Sequence, residues 1–335
     1  MIDRRKALGL AASVVGAALL SRGGRASMGK SSVTTGKIEI PEISGGTLTR
    51  NGALLLVADE GNGVFLFRDA AKRLQSGSVK PKEDERLRLL MEKQVDLEDL
   101  EDAAWDERGS AFLITSHARS KRGDSPEQRY RLARLRFDAT GLLLKAEETD
   151  ALFQAIVNEL PFLADAVRRP PARSGLNIEG LAWSPEGHLL IGLRAPTITE
   201  SVEREHGGQE DAVVLRLTNP HALFEEQGAR ALLADTVKLD LRGQGIRGMC
   251  LDPSREFCWL ISGLSADPTH DVQAPWGLWR WDMKGAAVPA SVPKEVDLET
   301  PETVAALEVD GKPHLLLIDD EKDACRYALF PVPEA

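Results

Sequence analysis

One strand–turn–strand unit returns five times along this chain, and a fold must give all five copies the same job. The clearest copy is Asn177–Trp183, then the turn Ser184–Gly187, then His188–Arg194. Asp99–Trp105 with Ala111–His117, Gly245–Leu251 with Phe257–Ser262, and Thr300–Ala306 with His314–Asp320 repeat it. A weaker first copy joins Ile43–Leu48 to Ala53–Glu60 across the turn Arg50–Gly52. Each reads as two short β-rich runs bounded by Gly, Pro, Asn or Asp. The aligned positions are Ser44, Glu101, Glu179, Arg247 and Glu302, at separations of 57, 78, 68 and 55 residues. Repeats of this length stack as units that cannot bury their apolar faces alone.

A third strand follows each hairpin, at Val64–Phe67, Tyr130–Phe137, Ala212–Leu217, Gly277–Trp281 and Arg326–Phe330. Fourth strands are expected at Leu87–Leu97, Leu142–Glu147, Val237–Leu241 and Glu295–Leu298. The fifth unit runs out of chain, and Lys37–Ile40 is expected to return from the N-terminal side to complete it. Closure of this kind removes the open sheet edges that invite aggregation. The resulting class is all-β: a β-propeller over residues 37–335, most simply five-bladed. Six blades are the alternative, with the extra one hidden between Glu101 and Glu179. The helical spacing of Asp150–Leu160 favours an insertion there instead, and Lys80–Arg88 and Glu200–Glu210 read as solvated loops. Trp105 and Trp183 share one repeat position, which marks packing between blades. Trp276, Trp279 and Trp281 suit either a sugar or aromatic site or a half-buried strand.

Residues 1–30 read as an export segment. Arg4, Arg5 and Lys6 precede an uncharged run, Ala7–Leu20, that is short of the ~20 apolar residues of a membrane span. The arginine pair is similar to a twin-arginine signal, although Asp3 stands where Ser or Thr is usual. The expected location is therefore periplasmic or secreted, with no membrane partner once the segment is removed. A net charge of -10 argues against nucleic acid. The three cysteines form no disulfide framework; Cys250 and Cys258, which flank a turn, are either paired or two ordinary thiols.

The repeat register gathers ionisable groups at one rim of the channel: Asp59, Glu60, Glu101, Asp102, His117, Glu179, Arg194, Arg247, Glu302, Asp319 and Asp320. Apolar residues would satisfy the hairpin equally well. Glu179, or alternatively Glu101, as base, His117 as proton shuttle, and Arg194 and Arg247 as anion holders form the expected catalytic set. Asp59, Glu101, Asp102, Glu302 and Asp320 form the expected oxygen ligand set for calcium or magnesium. A plainer reading has Arg194 and Arg247 pairing with Glu179 and Glu302 to tie blades together. The sequence contains no Gly-x-Ser-x-Gly elbow, no His-Glu-x-x-His and no Gly-rich phosphate loop.

Asn177–Trp183 with Leu190–Arg194 resembles a bacterial propeller family known only as a domain of unknown function. The copies at Asp99–His117 and Gly245–Gly263 fit the same pattern, and the resemblance spans most of Ile43–Phe330. Its Glu-Gly-Leu element is also similar to the exported family named for esterase-like activity of phytase, and more distantly to lactonase propellers with a channel metal. The lactonase resemblance implies a metal-ligating Glu at Glu179 or Glu101, whereas Arg247 departs from that pattern. The expected function is an exported propeller that binds a small anionic ligand and hydrolyses a phosphoester, ester or lactone with a divalent metal. The alternative is a non-catalytic scaffold for a small ligand or a protein partner.

Overall fold

The computed structural model describes residues 33–59, 63–87, 95–120, 122–198, 210–265 and 276–333. The export segment, Glu60, and most of the Glu200–Glu210 loop lie outside the described residues. Five antiparallel sheets follow one another along the chain. Their inner strands are Ile43–Leu48, Leu100–Trp105, Asn177–Trp183, Gly245–Leu251 and Pro301–Val309, taken below as opening blades 1 to 5. Each inner strand touches the next, and that of blade 5 touches that of blade 1, so the ring closes at five.

The second and third strands fall where the repeat puts them. Tight turns do the local work: Asp106 Oδ1 accepts the amides of Arg108 (2.8 Å) and Ser110 (2.7 Å), while Gly109 takes a φ of 86°. That left-handed conformation is open to glycine without steric cost. The fourth strands are less regular. Leu143–Thr149 and Val237–Leu239 lie within two residues of expectation. In blade 1 only Arg86–Leu87 pairs, and residues 88–94 lie outside the described set. In blade 4 the outer strand is Val288–Pro289, not Glu295–Leu298. Proline is tolerated there because an edge strand needs no amide on its outer side. Leu298 owes its apolar character to the core between blades 4 and 5.

The ring is closed by Thr34–Ile38, which pairs antiparallel with Cys325–Pro331 as the fourth strand of blade 5. Ser78–Val79 then adds a parallel fifth strand, which the repeat did not announce. The segment that follows it is mostly exposed, as a solvated loop should be, except that Glu85 is buried and ion-paired with Arg73. The long interval before blade 3 holds the helix Ala151–Glu159, packed by Leu152 and Ile156 onto the core between blades 2 and 3.

Five apolar clusters, one between each pair of adjacent blades, form the core. Trp105 and Trp183 belong to two of them. Trp279 and Trp281 are also core, and Trp276 packs beside one; their indole N–H groups donate to Ser262 Oγ, the Gly285 carbonyl and the Leu298 carbonyl respectively. That trio is structural. Cys250 faces the blade 4–5 core and Cys258 the blade 3–4 core, so they lie on opposite faces of one sheet and are not bonded. Burial raises all three thiols above their ordinary range, Cys325 to about 11. We expect none to react with an aromatic disulfide reagent in the native state, and all three to react after denaturation without reductant. A count of one after denaturation would signal a bridge.

Candidate functional site

The inner strands carry the same irregularity in every blade. Leu100 pairs with Thr115 and Asp102 with Ile114, leaving Glu101 as an extra residue. Glu179, Arg247, Glu302 and Ser44 are extra in the same way. Each is a β-bulge, which re-aims a side chain and is common beside active sites. The aligned position of the repeat is thus the bulge position. The bulge also sets the register: Gly192 faces Gly180, and Asp319 faces Pro301.

The bulge residues of blades 3 to 5 form an ion-paired brace. Glu179 Oε1 accepts from Arg194 Nη1 at 2.7 Å and from Asn177 Nδ2 at 2.8 Å. Its other oxygen lies 2.8 Å from Arg247 Nε, an ionic contact without hydrogen-bond alignment. Arg247 also pairs with Glu302, and Arg194 Nε donates to the Leu264 carbonyl at 3.1 Å. Both arginines are therefore committed to partners within the protein.

The bulge residue of blade 2 behaves differently. Glu101 is 8 % exposed and makes no hydrogen bond or salt bridge within the described residues. Burial, then the charges of Glu179, Asp99 and Asp59, hold its carboxyl well above the usual carboxylate range, against the pull of Arg194. Beside it Asp59 is hydrogen-bonded to Asp99, and its pKa is pushed up to about 8, first by burial and then by Asp99. Arg129 pairs with Asp99 and lies 3.3 Å from Glu98, opposing the shift of Asp59. Burial and the touching Asp99 carboxyl thus keep the proton on Asp59 near neutral pH.

Asp99 and Arg129 were missed by the sequence reading. Asp99 stands two residues before the bulge, where Asn177 stands in blade 3, so the alignment of copies contained the signal. Arg129 lies in a connection that does not repeat.

Asp102 is not part of this rim. It is 1 % exposed, and its carboxylate accepts backbone amides from Gly46 (3.0 Å), Ala103 (2.8 Å) and Leu181 (2.7 Å), with Met249 as a fourth donor. These donors come from the inner strands of blades 1 to 4, so the group sits on the axis and plugs the channel. Burial raises its pKa and the four amides oppose that rise. Gly45 and Gly248 make room: a Cβ on Gly45 would lie 2.4 Å from Asp102 Cα, and one on Gly248 would lie 2.0 Å from the Glu302 carbonyl oxygen.

Other expected residues are also placed elsewhere. His117 is buried; Nδ1 lies 2.9 Å from the Thr115 carbonyl oxygen, so Nδ1–H donates. Its pKa is lowered to about 4 by burial, and the ring packs 6.0 Å from that of Phe153. Arg131 is its charged neighbour. Asp319 accepts the amides of Glu299 and Thr300, each at 3.0 Å, and pairs with Arg326. Asp320 is exposed. With Asp102 and Glu302 occupied, the expected calcium or magnesium ligands do not converge: no three Asp, Glu, His or Cys side chains among the described residues come together as a metal site requires.

A closed ring of five four- or five-stranded sheets with a charged mouth defines a five-bladed β-propeller. Residues 114–327 match the family model described as "Protein of unknown function (DUF3616)", and the chain belongs to that family. No curated protein matches the sequence. Among solved structures, a GH43 β-1,3-galactosidase is similar at 12% identity, covering 88% of this chain and 91% of that one, with a TM-score of 0.47. A streptogramin B lyase is similar at 12% identity, covering 89% and 97%, with a TM-score of 0.38. The β-propeller domain of Myceliophteria thermophila Cps50 (Swd1) is similar at 11% identity, covering 87% and 82%, with a TM-score of 0.37.

Proposed function

We propose that the charged mouth is an acid–base site that hydrolyses a small ester, lactone or phosphoester, in a protein exported through its twin-arginine segment. The observation that carries this reading is the hydrogen-bonded Asp59–Asp99 pair with Glu101 beside it, buried and without a hydrogen bond or ion pair among the described residues. Buried carboxyls with strongly raised pKa values concentrate at functional sites, because stability alone gives no reason to keep them. Water adds to the ester carbon or the phosphorus and loses its proton to the carboxylate of the pair. The acid proton of the pair passes to the departing alkoxide, so protons balance. Glu101, held as the acid, donates a hydrogen bond to the oxygen that gains charge. This route needs no divalent metal. It favours a neutral or singly charged substrate, because an anion would have to displace Glu179 or Glu302 from Arg247. The resemblance to the esterase-like family supports hydrolysis only at the level of fold.

The purified protein should be assayed on p-nitrophenyl acetate, p-nitrophenyl phosphate and a small lactone, with and without a chelator. We expect turnover of at least one substrate, insensitive to the chelator and declining above about pH 8 as Asp59 loses its proton. Glu101→Gln should lower kcat/KM by about tenfold or more. Activity abolished by the chelator would restore the metal-assisted version, and no turnover of any substrate would overturn the enzyme reading.

A non-catalytic scaffold is the second reading, favoured by the brace of Arg194, Arg247, Glu179 and Glu302 across blades 3 to 5. It predicts that Glu101→Gln changes neither binding nor turnover.

A further inference from the structure

The fold supplies a partner to the bulge residue of every blade but one. Ser44 Oγ donates to the Leu100 carbonyl at 2.6 Å. Glu179 holds Arg194 and Asn177, and Arg247 joins Glu179 to Glu302. Glu101 has no such partner among the described residues. It is 8 % exposed, yet its carboxyl oxygens are not sealed in as Oε2 of Glu179 is, and they keep a surface open to the mouth.

The pairing register shows what blade 2 lacks. Ile178 pairs with Leu193 in blade 3 and Leu100 with Thr115 in blade 2, so Ser116 stands where Arg194 stands. The Ser116 hydroxyl is short, and it accepts the Ala118 amide at 3.2 Å. Arg194 attracts Glu101 but forms its ion pair with Glu179. The guanidinium that meets the bulge glutamate of blade 3 therefore has no counterpart in blade 2. Around Glu101 stand Asp59, Asp99 and Glu179, whose charges all oppose its ionisation. Acids pressed together in this way are relieved by a proton or by a cation.

We propose that the blade 2 side of the mouth binds the guanidinium group of a small ligand, seated on Glu101 as Arg194 is seated on Glu179. A carboxylate can accept two guanidinium N–H groups side by side, and a guanidinium sheds its water more readily than an ammonium does. The acids of the described residues do not meet in threes as a metal ion requires, so an organic cation suits the site better than a divalent metal. The inference does not rest on turnover. In the acid–base reading Glu101 keeps its proton; the ligand competes with that proton for the same carboxyl, and binding releases it to solvent.

Isothermal titration of the full protein with N-ethylguanidinium tests this, with N-ethylurea as the uncharged probe of the same shape. Saturable binding of the guanidinium is expected, with the urea weaker by about tenfold or more. Glu101→Gln should weaken the guanidinium by about tenfold or more and bring it level with the urea. Arg50→Gln, in the blade 1 turn at the far end of the strands, should leave both probes unaffected. Because the ligand replaces a proton, its affinity should rise from about pH 6 to about pH 8 while that of the urea stays constant. Equal affinities for the two probes, or no saturation by millimolar guanidinium in protein of native melting temperature, would overturn the proposal. So would guanidinium binding that Glu101→Gln leaves intact, or that does not change with pH.

Discussion

Asp102→Ala is expected to cost at least about 4 kcal/mol of unfolding free energy, measured by urea denaturation. The carboxylate satisfies buried amides of four separate blades. Each orphaned donor costs ~1–3 kcal/mol, and such costs do not add fully for neighbours. A cavity on the axis adds to the loss, because the surrounding strands cannot collapse into it without breaking the ring. Asp102→Asn separates these causes. It keeps the volume but turns a donor towards amides that need acceptors, so it should cost about 2 kcal/mol, roughly what one or two unpaired amides cost. If the alanine variant loses less than about 1 kcal/mol, the axial carboxylate is not what joins the blades. The ring brace would then be the better candidate, since Arg247 spans two inter-blade boundaries.

The axial role of Asp102 shows where sequence reading stops. The five hairpins were legible because their turns are punctuated by Gly, Asp and Pro, and because copies can be checked against one another. The N-terminal closing strand was legible because the fifth copy lacked a partner. A β-bulge leaves no such mark: one extra residue in a pairing changes no composition, yet it moves Glu179 off Gly192 and aims it into the channel. Asp102 read as one more acid at a rim, since its four donors lie on strands up to 147 residues away. His117 read as a rim group by register, but its backbone takes a φ of 54°, and its ring lies against the helix insertion instead.

The brace and the acid pair also divide the mouth into two kinds of chemistry. On the side of blades 3 to 5 every charge has an opposite partner, an arrangement that resists motion and excludes small ions. On the side of blades 1 and 2 like charges are pressed together, and the fold carries that cost with Arg129 as the main relief. A protein under selection for stability alone would replace Asp59 or Glu101 by an amide.

Asp59→Asn should accordingly stabilise the protein while removing its activity. In the folded state Asp59 keeps its proton up to about pH 8, whereas in the unfolded chain it loses it near 3.8. Between these values the folded state binds the extra proton, so stability is greatest in acid and falls as pH rises, flattening above about pH 8. At pH 7 the difference corresponds to an upper bound of roughly 4 kcal/mol at ~1.36 kcal/mol per unit. Loss of the Asp59–Asp99 hydrogen bond and partial exposure bring the expected gain of the Asn variant to about 2 kcal/mol. The gain should grow towards pH 8 and vanish near pH 4, which urea titrations at several pH values would show. Over the same series, loss of the acid should cut kcat on any substrate turned over by the wild type about 100-fold or more. A stabilised but inactive variant identifies the pair as a functional strain. A variant that is destabilised at every pH identifies Asp59 instead as a structural acid, and the mouth would then lose its claim to chemistry.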